Sequence, residues 1–197
     1  MADGAGDYFS IDAVLAEETA IPCAFQCGAQ GIGRALDASS GLEDVKPGAA
    51  VDLPVWLLVE LAKRDMIAVK QPKWYGERMR RKIQAGAGVE NLRLRCPYFY
   101  DVALLLHSME RGLPLAEFAM QTFQARYKEL LIKAHSNQTP QEMTRLESLL
   151  SSEEAALFEA GRISMSAFSR WRFGGRPLAQ RGALKRRLDG GRVNTQG

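Results

Sequence analysis

Residues 53–75, LPVWLLVELAKRDMIAVKQPKWY, decide the predicted fold because they join a strand-containing unit to a helical one. Pro54 suits the first turn of a helix, where its missing N–H removes no hydrogen bond. Apolar residues then recur at helical spacing, which predicts a helix over residues 53–64 with one buried face. Residues 66–70 are β-prone, so they predict a short strand that stops before Pro72.

The chain before this stretch predicts two short strands and much loop. Residues 8–12 alternate enough to form a strand, and Asp12 is expected to cap a short helical turn after it. Residues 21–26 predict a second strand, whereas residues 28–48 have the Gly-rich, polar composition of a loop. Residues 1–71 are therefore predicted to form a small β-rich domain with one helix.

The chain after this stretch predicts helices. Residues 72–173 carry apolar residues at helical spacing in about five segments with short connections. The predicted fold class is α+β and mostly α: a small N-terminal β-rich domain followed by a C-terminal helical bundle of about five helices. The helical apolar spacing stops after Gly174, so residues 174–197 are predicted to be a basic, disordered tail.

Details of three helices also follow from the pattern. A basic helix over residues 73–84 is expected to bury Met79 and Ile83, which lie four positions apart. Thr139 and the glutamate three residues later have the spacing of a capping box, which marks a helix start. The last helix is expected to start at Ser151 or Ser152 and to reach Trp171, with an interruption at Gly161 left open.

The net charge of +3 conceals a strong segregation of charge along the chain. Residues 1–62 have ten acids and two bases, whereas residues 63–82 have eight bases and two acids. Two interpretations of this basic segment remain open: contact with nucleic-acid phosphates, or a solvated face that pairs with an acidic partner. The cations concerned are Lys73, Arg78, Arg80, Arg81 and Lys82.

No arrangement of residues predicts catalysis, a cofactor or a metal site. Cys23 and Cys27 lack a second ligand pair for zinc, since the histidines lie far away in the helical half. Residues 28–33 lack both the glycine order of a dinucleotide loop and the Lys-Ser/Thr of a P-loop. No apolar run approaches the ~20 residues that span a bilayer, and residues 1–10 lack the regions of a signal peptide. We expect a non-enzymatic protein of a reducing compartment that has no membrane partner.

The aromatic residues exceed what a thin sheet and a small bundle need to fill their cores. Large aromatics also anchor obligate protein–protein interfaces, and a unit with so few strands is marginal alone. A permanent multi-subunit partner is therefore expected.

Several short motifs in order resemble one family, the third Psf subunit of the GINS replication complex. In the N-terminal half they are YFSIDAVL at 8–15, IPCAFQ at 21–26, GIG at 31–33 and LPVWL at 53–57. The later positions that resemble the family are Pro72, Tyr75, Phe99, Tyr100, Phe158, Phe168, Arg170 and Trp171. The resemblance covers about residues 8–173, and its specificity comes from the order of the motifs rather than from any one of them.

This resemblance implies a role in eukaryotic DNA replication. GINS is a heterotetramer of four related subunits that joins the MCM ring and the Cdc component in the CMG helicase and links it to DNA polymerase epsilon. It hydrolyses no nucleotide. We therefore expect a nuclear, non-catalytic scaffold subunit that has three other GINS subunits as partners, serves initiation and elongation, and needs no cofactor. The alternative is a small nucleic-acid-binding adaptor that uses residues 63–82 and the tail.

Two structural roles are predicted within this interpretation. Trp56 with Leu57 is expected to form the hinge core between the two domains, and exposed positions of helices 115–134 and 152–171 are expected to pack against other subunits. The structural and interface candidates are Leu53, Pro54, Trp56, Leu57, Tyr75, Phe99, Tyr100, Phe123, Phe158, Phe168 and Trp171.

Overall fold

The computed structural model describes residues 10–36, 43–109, 113–136 and 139–173. The elements of the N-terminal part are α1 (Ile11–Glu17), β1 (Ala20–Phe25), α2 (Gly33–Leu36), β2 (Ala50–Pro54), α3 (Val55–Lys63) and β3 (Ile67–Val69). Those of the C-terminal part are α4 (Glu77–Gly86), α5 (Leu92–Arg95), α6 (Phe99–Ser108), α7 (Ala116–His135), α8 (Pro140–Glu147) and α9 (Ser152–Arg172). Two 3₁₀ turns, Lys73–Tyr75 and Ala87–Val89, flank α4. The expected fold class, a small sheet followed by a helical bundle, is confirmed.

The three strands form one antiparallel sheet in the order β2-β1-β3. Every second residue of the central strand β1 is buried, namely Ile21, Cys23 and Phe25. Pro22 is tolerated in this strand because its backbone edge faces the end of β3, where its carbonyl accepts a hydrogen bond from the Lys70 N–H at 2.9 Å. The missing N–H of the proline therefore removes a bond only at the end of the β1–β3 pairing, just beyond the last residue of β3.

The structure corrects the prediction that residues 53 and 54 begin a helix. They end a strand, β2, that the sequence pattern did not predict. Leu53 lies opposite Ile21 of β1 and is buried, while Pro54 is extended and forms the N-cap of α3. Pairing with a strand distant in sequence therefore overrides the local preference for a helix.

The predicted strand at residues 8–12 is also wrong over its described part. Ile11 and Asp12 lie in α1, and Ser10, rather than Asp12, caps the helix by accepting a hydrogen bond from the Ala13 N–H. Tyr8 and Phe9 lie outside the described residues. The serine hydroxyl accepts a hydrogen bond from a backbone N–H that has no partner within the helix. This cap favours a helix over a strand at this position.

The helical part agrees closely with the predicted pattern. Met79 and Ile83 are buried as expected, although the helix begins at Glu77 because the extended Gly76 separates it from the preceding 3₁₀ turn. The capping box at Thr139 is confirmed, and a second one at Ser151 starts α9. The possible break at Gly161 does not occur: α9 is continuous there. A Cβ at Gly161 would lie only 3.1 Å from the Ala134 Cβ, so glycine permits a close approach of α7 and α9.

One hydrophobic cluster runs from the sheet into the bundle and contains the junction between them. At this junction Tyr75 is fully buried, its ring lies 4.9 Å from that of Phe99, and its hydroxyl donates to the Phe99 carbonyl oxygen at 2.5 Å. Trp56 is 48% exposed, so its predicted place in a hinge core is wrong, whereas the half-buried Leu57 does pack against this cluster. The residues of α3 that face the core are Val55 and Leu58. Trp56 points away from that buried face of the helix.

Candidate interaction surfaces

A buried ion pair fixes α7 against α9. The Arg126 Nε and Nη2 donate to the two carboxylate oxygens of Glu154 at 2.6 and 2.9 Å, and only 4% and 2% of these side chains is exposed. The Tyr100 hydroxyl of α6 donates to Glu154 Oε1 at 2.7 Å. Arg126 Nη1 donates to the carbonyl oxygens of Ala87 and Glu90, so the network also ties the turn after α4 to the bundle.

The protonation states of this network follow from its enclosure. Burial disfavours the charged guanidinium, but the hydrogen bonds and charge of Glu154 outweigh it and raise the pKa of Arg126. Burial, followed by the charge of Glu154, raises the pKa of the Tyr100 hydroxyl well above its usual range. Arg126 therefore stays cationic and Tyr100 keeps its proton at neutral pH, and the network holds the helices in position.

The neighbouring Glu153 fixes the start of α6. Its Oε1 accepts hydrogen bonds from the backbone N–H groups of Tyr100 and Asp101 at 3.0 and 3.1 Å. Burial raises the pKa of the Glu153 carboxyl, and hydrogen bonds from the Ser151 side chain and the Asp101 backbone oppose the shift only in part. The two glutamates at the start of α9 therefore hold α6 and α7 in fixed positions relative to this helix.

The second half of α9 extends past the helix on which it packs. Arg126 meets Glu154, and Ala134 meets Gly161, so α7 and α9 run parallel in register. Because α7 ends at His135, α9 continues for about ten further residues, or ~15 Å. No residue from 159 to 173 is buried.

This extension, which we call the α9 overhang, carries large apolar side chains. Ile163, Phe168 and Trp171 are all exposed, with Trp171 at 78%, and the rings of Phe168 and Trp171 lie 5.8 Å apart. With Ala160 and Ala167 they share one side of the helix at spacings of three, four, seven and eleven residues. Contiguous exposed apolar surface of this kind is uncommon on monomeric proteins.

A second set of exposed apolar side chains lies on α7. Met120, Tyr127 and Ile132 are all exposed, and the Tyr127 ring lies 5.3 Å from that of the half-buried Phe123. Met120 and Tyr127, seven residues apart, lie on one flank of the buried face that contains Arg126 and Leu130, and Ile132 lies on the other flank. The exposed sides of α7 and α9 therefore provide two apolar surfaces on the same helix pair.

The basic segment does not form a continuous row of unpaired cations. The Arg80 guanidinium stacks over the Phe118 ring at 4.8 Å, and Arg81 pairs with Glu77 at 2.5 Å. Lys82 pairs with Glu90 at 3.3 Å. Lys73 and Arg78 are exposed and line an open groove at the start of α4, and no ion pair joins either one to a described carboxylate.

Two family models match this chain in consecutive segments. Residues 9–63 match the PSF3 N-terminal domain, and residues 74–173 match the GINS complex protein helical bundle domain. The chain belongs to the Psf3 family of GINS proteins. In this Psf3-family chain the unmatched residues 64–73 contain β3 and the approach to Tyr75, where the sheet meets the bundle.

Several relatives of this Psf3-family chain are DNA replication complex GINS proteins by name. The chain is 28% identical to the probable PSF3 of Dictyostelium discoideum, over 83% of the chain and 61% of that protein. It is 28% identical to PSF3 of Phaeosphaeria nodorum, over 83% of the chain and 94% of the relative. It is 27% identical to PSF3 of Mus musculus, over 85% of the chain and 81% of the relative.

The predicted structural and interface residues of this Psf3-family chain fall into three groups by exposure. The buried ones are Leu53, Tyr75, Phe99, Tyr100 and Phe158, the half-buried ones Pro54, Leu57 and Phe123, and the exposed ones Trp56, Phe168 and Trp171. The buried residues hold the core, and only the exposed group is available to a partner as it stands.

Sequence reasoning missed the charged residues that organise the helix pair. Arg126 occupies a core position of α7, four residues after Thr122 and four before Leu130, where the apolar period predicts a hydrophobic side chain. Glu154 is the third residue of a capping box, a signal that indicates a helix start and no partner. The signal that could have predicted this ion pair is an arginine at a core position of one helix together with a glutamate in the first turn of another.

The part of the chain that the structure describes contains no candidate metal centre. No three His, Cys, Asp or Glu side chains gather there to hold a metal ion. The His107 ring contacts the Leu113 carbonyl oxygen through Nδ1 at 3.2 Å. None of the described helices has the length and apolar character that a membrane span requires.

The cysteines should differ in reactivity. Burial, and then the charge of Asp52, raise the pKa of the Cys23 thiol to about 11, and burial raises that of Cys96 to about 12. Because the thiolate is the nucleophile, iodoacetamide at pH 8 should alkylate the half-buried Cys27 first and leave the other two protected. Peptide mass spectrometry measures the three rates, and all three thiols should react in urea. Alkylation of Cys96 as fast as Cys27 in the folded chain would contradict its burial.

Proposed function

We propose that this chain is a non-catalytic subunit of the heterotetrameric GINS complex and that three other GINS subunits are its permanent partners. The observation that carries the proposal is the match of both halves, in order, to the two domain models of the Psf3 family. Two relatives that match more than four fifths of the chain and of their own length are named as DNA replication complex proteins. The role of the chain is then to hold a replication assembly together through its surfaces.

The wider assembly forms the second level of the proposal. GINS is proposed to join the MCM ring and the Cdc component as the CMG helicase, to link it to DNA polymerase epsilon, and to act in initiation and elongation in the nucleus. The resemblance in the sequence supports this part. We further propose that residues 1–71 and 72–173 act as the small and the helical domain, followed by the basic tail.

The surfaces that pack against other subunits are proposed to be the exposed apolar sides of α7 and α9. Ile163, Phe168 and Trp171 on the α9 overhang, and Met120 on α7, are large apolar side chains in water. Aromatic anchors of this kind dominate interface energetics when a partner covers them. Their burial in the assembly offsets the cost of exposing them in the free chain.

Native mass spectrometry of the chain co-expressed with three GINS subunits of the same source tests the proposal. A 1:1:1:1 assembly is expected, with the chain aggregating or unstable when produced alone. A stable monomer that ignores the other three subunits would overturn the proposal.

Charges on the overhang should prevent assembly without unfolding the chain. Phe168→Glu and Trp171→Glu each place a carboxylate in the proposed interface, so subunit affinity should fall by at least about tenfold. Ser169→Glu, on the side of the helix that faces away from the apolar stripe, is the matched control and should assemble normally. Pull-down measures assembly, and circular dichroism checks folding. Equal assembly of all three variants would remove the overhang from the interface.

The nucleic-acid adaptor is less well supported than the scaffold. Among the five cations of the predicted contact, Arg80, Arg81 and Lys82 have partners within the chain. Phosphate binding gains from many unpaired cations in a row, each of which releases counterions. Strongly salt-dependent DNA binding by the chain, in the absence of other subunits, would favour the adaptor instead.

A further inference from the structure

An open groove of about 830 Å³ lies between the start of α4 and the segment that leads into α5. Its cationic side chains include Lys73, Arg78 and Arg95, and its apolar side chains are Trp74, Met79 and Leu94. This volume accommodates a few side chains of a bound segment. We call it the α4–α5 groove.

The groove has a surplus of positive charge after its internal ion pairs are counted. Its two carboxylates are already engaged, since Glu90 pairs with Lys82 at 3.3 Å and with Arg95 at 3.4 Å, while Glu77 pairs with Arg81. Lys73 and Arg78 have no carboxylate within ion-pair distance among the described residues. Two cations therefore remain for a ligand.

The groove also offers apolar contacts that a purely ionic ligand would not use. Leu94 is 80% exposed on the short helix α5, and the half-buried Trp74 and buried Met79 lie along the same groove. A leucine so exposed gains free energy when a partner removes it from water. A ligand that matches the groove combines negative charge with an apolar side chain.

We propose that the α4–α5 groove binds an acidic peptide segment with an apolar anchor, contributed by a protein partner. The carboxylates of the segment pair with Lys73 and Arg78, and its apolar side chain packs against Leu94 and Trp74. A nucleic-acid strand fits less well, because only two cations are unpaired and the most exposed apolar contact is aliphatic. The site is independent of the α9 overhang, which lies on another helix.

Fluorescence anisotropy with a labelled acidic peptide, EEDLFEDE, tests the proposal on the full chain, in its assembled form if that is how it purifies. Binding in the micromolar range is expected. Lys73→Glu and Arg78→Glu should each weaken it by at least about tenfold. The matched control is Arg93→Glu, which changes charge equally on α5 but outside the groove, and should leave binding within about twofold.

Two further probes separate the contributions of charge and apolar contact. The amide peptide QQNLFQNQ and the anchor-free peptide EEDSSEDE should both bind at least about tenfold more weakly than the acidic probe. Leu94→Ser should weaken only the peptides that carry the apolar anchor, and the exposure of Leu94 means that folding is unaffected.

Several outcomes would overturn the proposal. The first is that the acidic peptide does not bind, and the second is that Arg93→Glu weakens binding as much as Arg78→Glu does. The third is that a thymidine oligonucleotide binds more tightly than the peptide and that Lys73→Glu and Arg78→Glu abolish its binding. Subunit assembly is measured separately by native mass spectrometry. A groove that fails to bind in an intact heterotetramer is therefore distinguishable from failure of the proposed function.

Discussion

Replacing Arg126 by methionine should lower the free energy of unfolding by about 3–5 kcal/mol, because it leaves the Glu154 carboxylate buried without its cation. The loss includes the arginine hydrogen bonds to the carbonyl oxygens of Ala87 and Glu90. Urea unfolding of the chain as purified, followed by tryptophan fluorescence, measures the change.

The double variant Arg126→Met with Glu154→Leu tests how much of the loss comes from leaving one charge buried without its partner. It should recover part of the lost stability, because no unpaired charge stays buried, whereas the Tyr100 hydroxyl and the carbonyl oxygens of Ala87 and Glu90 remain without their partners. Arg162→Met is the matched control, since its pair with Glu159 at 3.1 Å is partly exposed, and it should change stability by less than about 1 kcal/mol. A loss for Arg126→Met no larger than for this control would show that the buried pair contributes little.

Replacing Tyr75 by alanine should cost about 3–5 kcal/mol, because the fully buried ring leaves a cavity between the sheet and the bundle. Trp56→Ala removes a larger side chain from α3 but should cost less, about 1–2 kcal/mol, because 48% of that residue is exposed. Thermal or urea unfolding of both variants measures the difference.

Tyr75→Phe isolates the contribution of the hydroxyl. It removes the hydrogen bond to the Phe99 carbonyl oxygen but keeps the ring contact, so a loss of about 0.5–1.5 kcal/mol is expected. If Trp56→Ala proved as costly as Tyr75→Ala, the tryptophan would have to be buried in the working form of the protein, for example by another subunit.

The helical half was predictable because its signals are local. The burial of Met79 and Ile83 follows from their spacing of four residues, and the capping box at Thr139 needs no distant partner. The apolar period likewise identifies α7 and α9. Such features are properties of one turn of chain, so the sequence alone contains them.

The features that the sequence did not predict depend on distant partners. Leu53 lies in a strand because it pairs with Ile21, and the Arg126 position is buried because Glu154 neutralises it from 28 residues away. Trp56 shows the same limit, since size and apolarity do not say which side of α3 faces the core. The α4–α5 groove could not be predicted either, because a run of basic residues does not show which cations form ion pairs in the fold. In this groove the pairs leave Lys73 and Arg78 without a carboxylate partner.

The cluster that crosses from the sheet into α6 makes the folding of the two halves interdependent. Leu58 of α3, Tyr75 at the junction and Leu106 of α6 belong to the same apolar interior. Melting the sheet would uncover the inner side of the bundle, so heat should unfold both halves in a single calorimetric transition with equal calorimetric and van't Hoff enthalpies. Exchange of either half with that of a distant relative therefore requires simultaneous repacking of the other half.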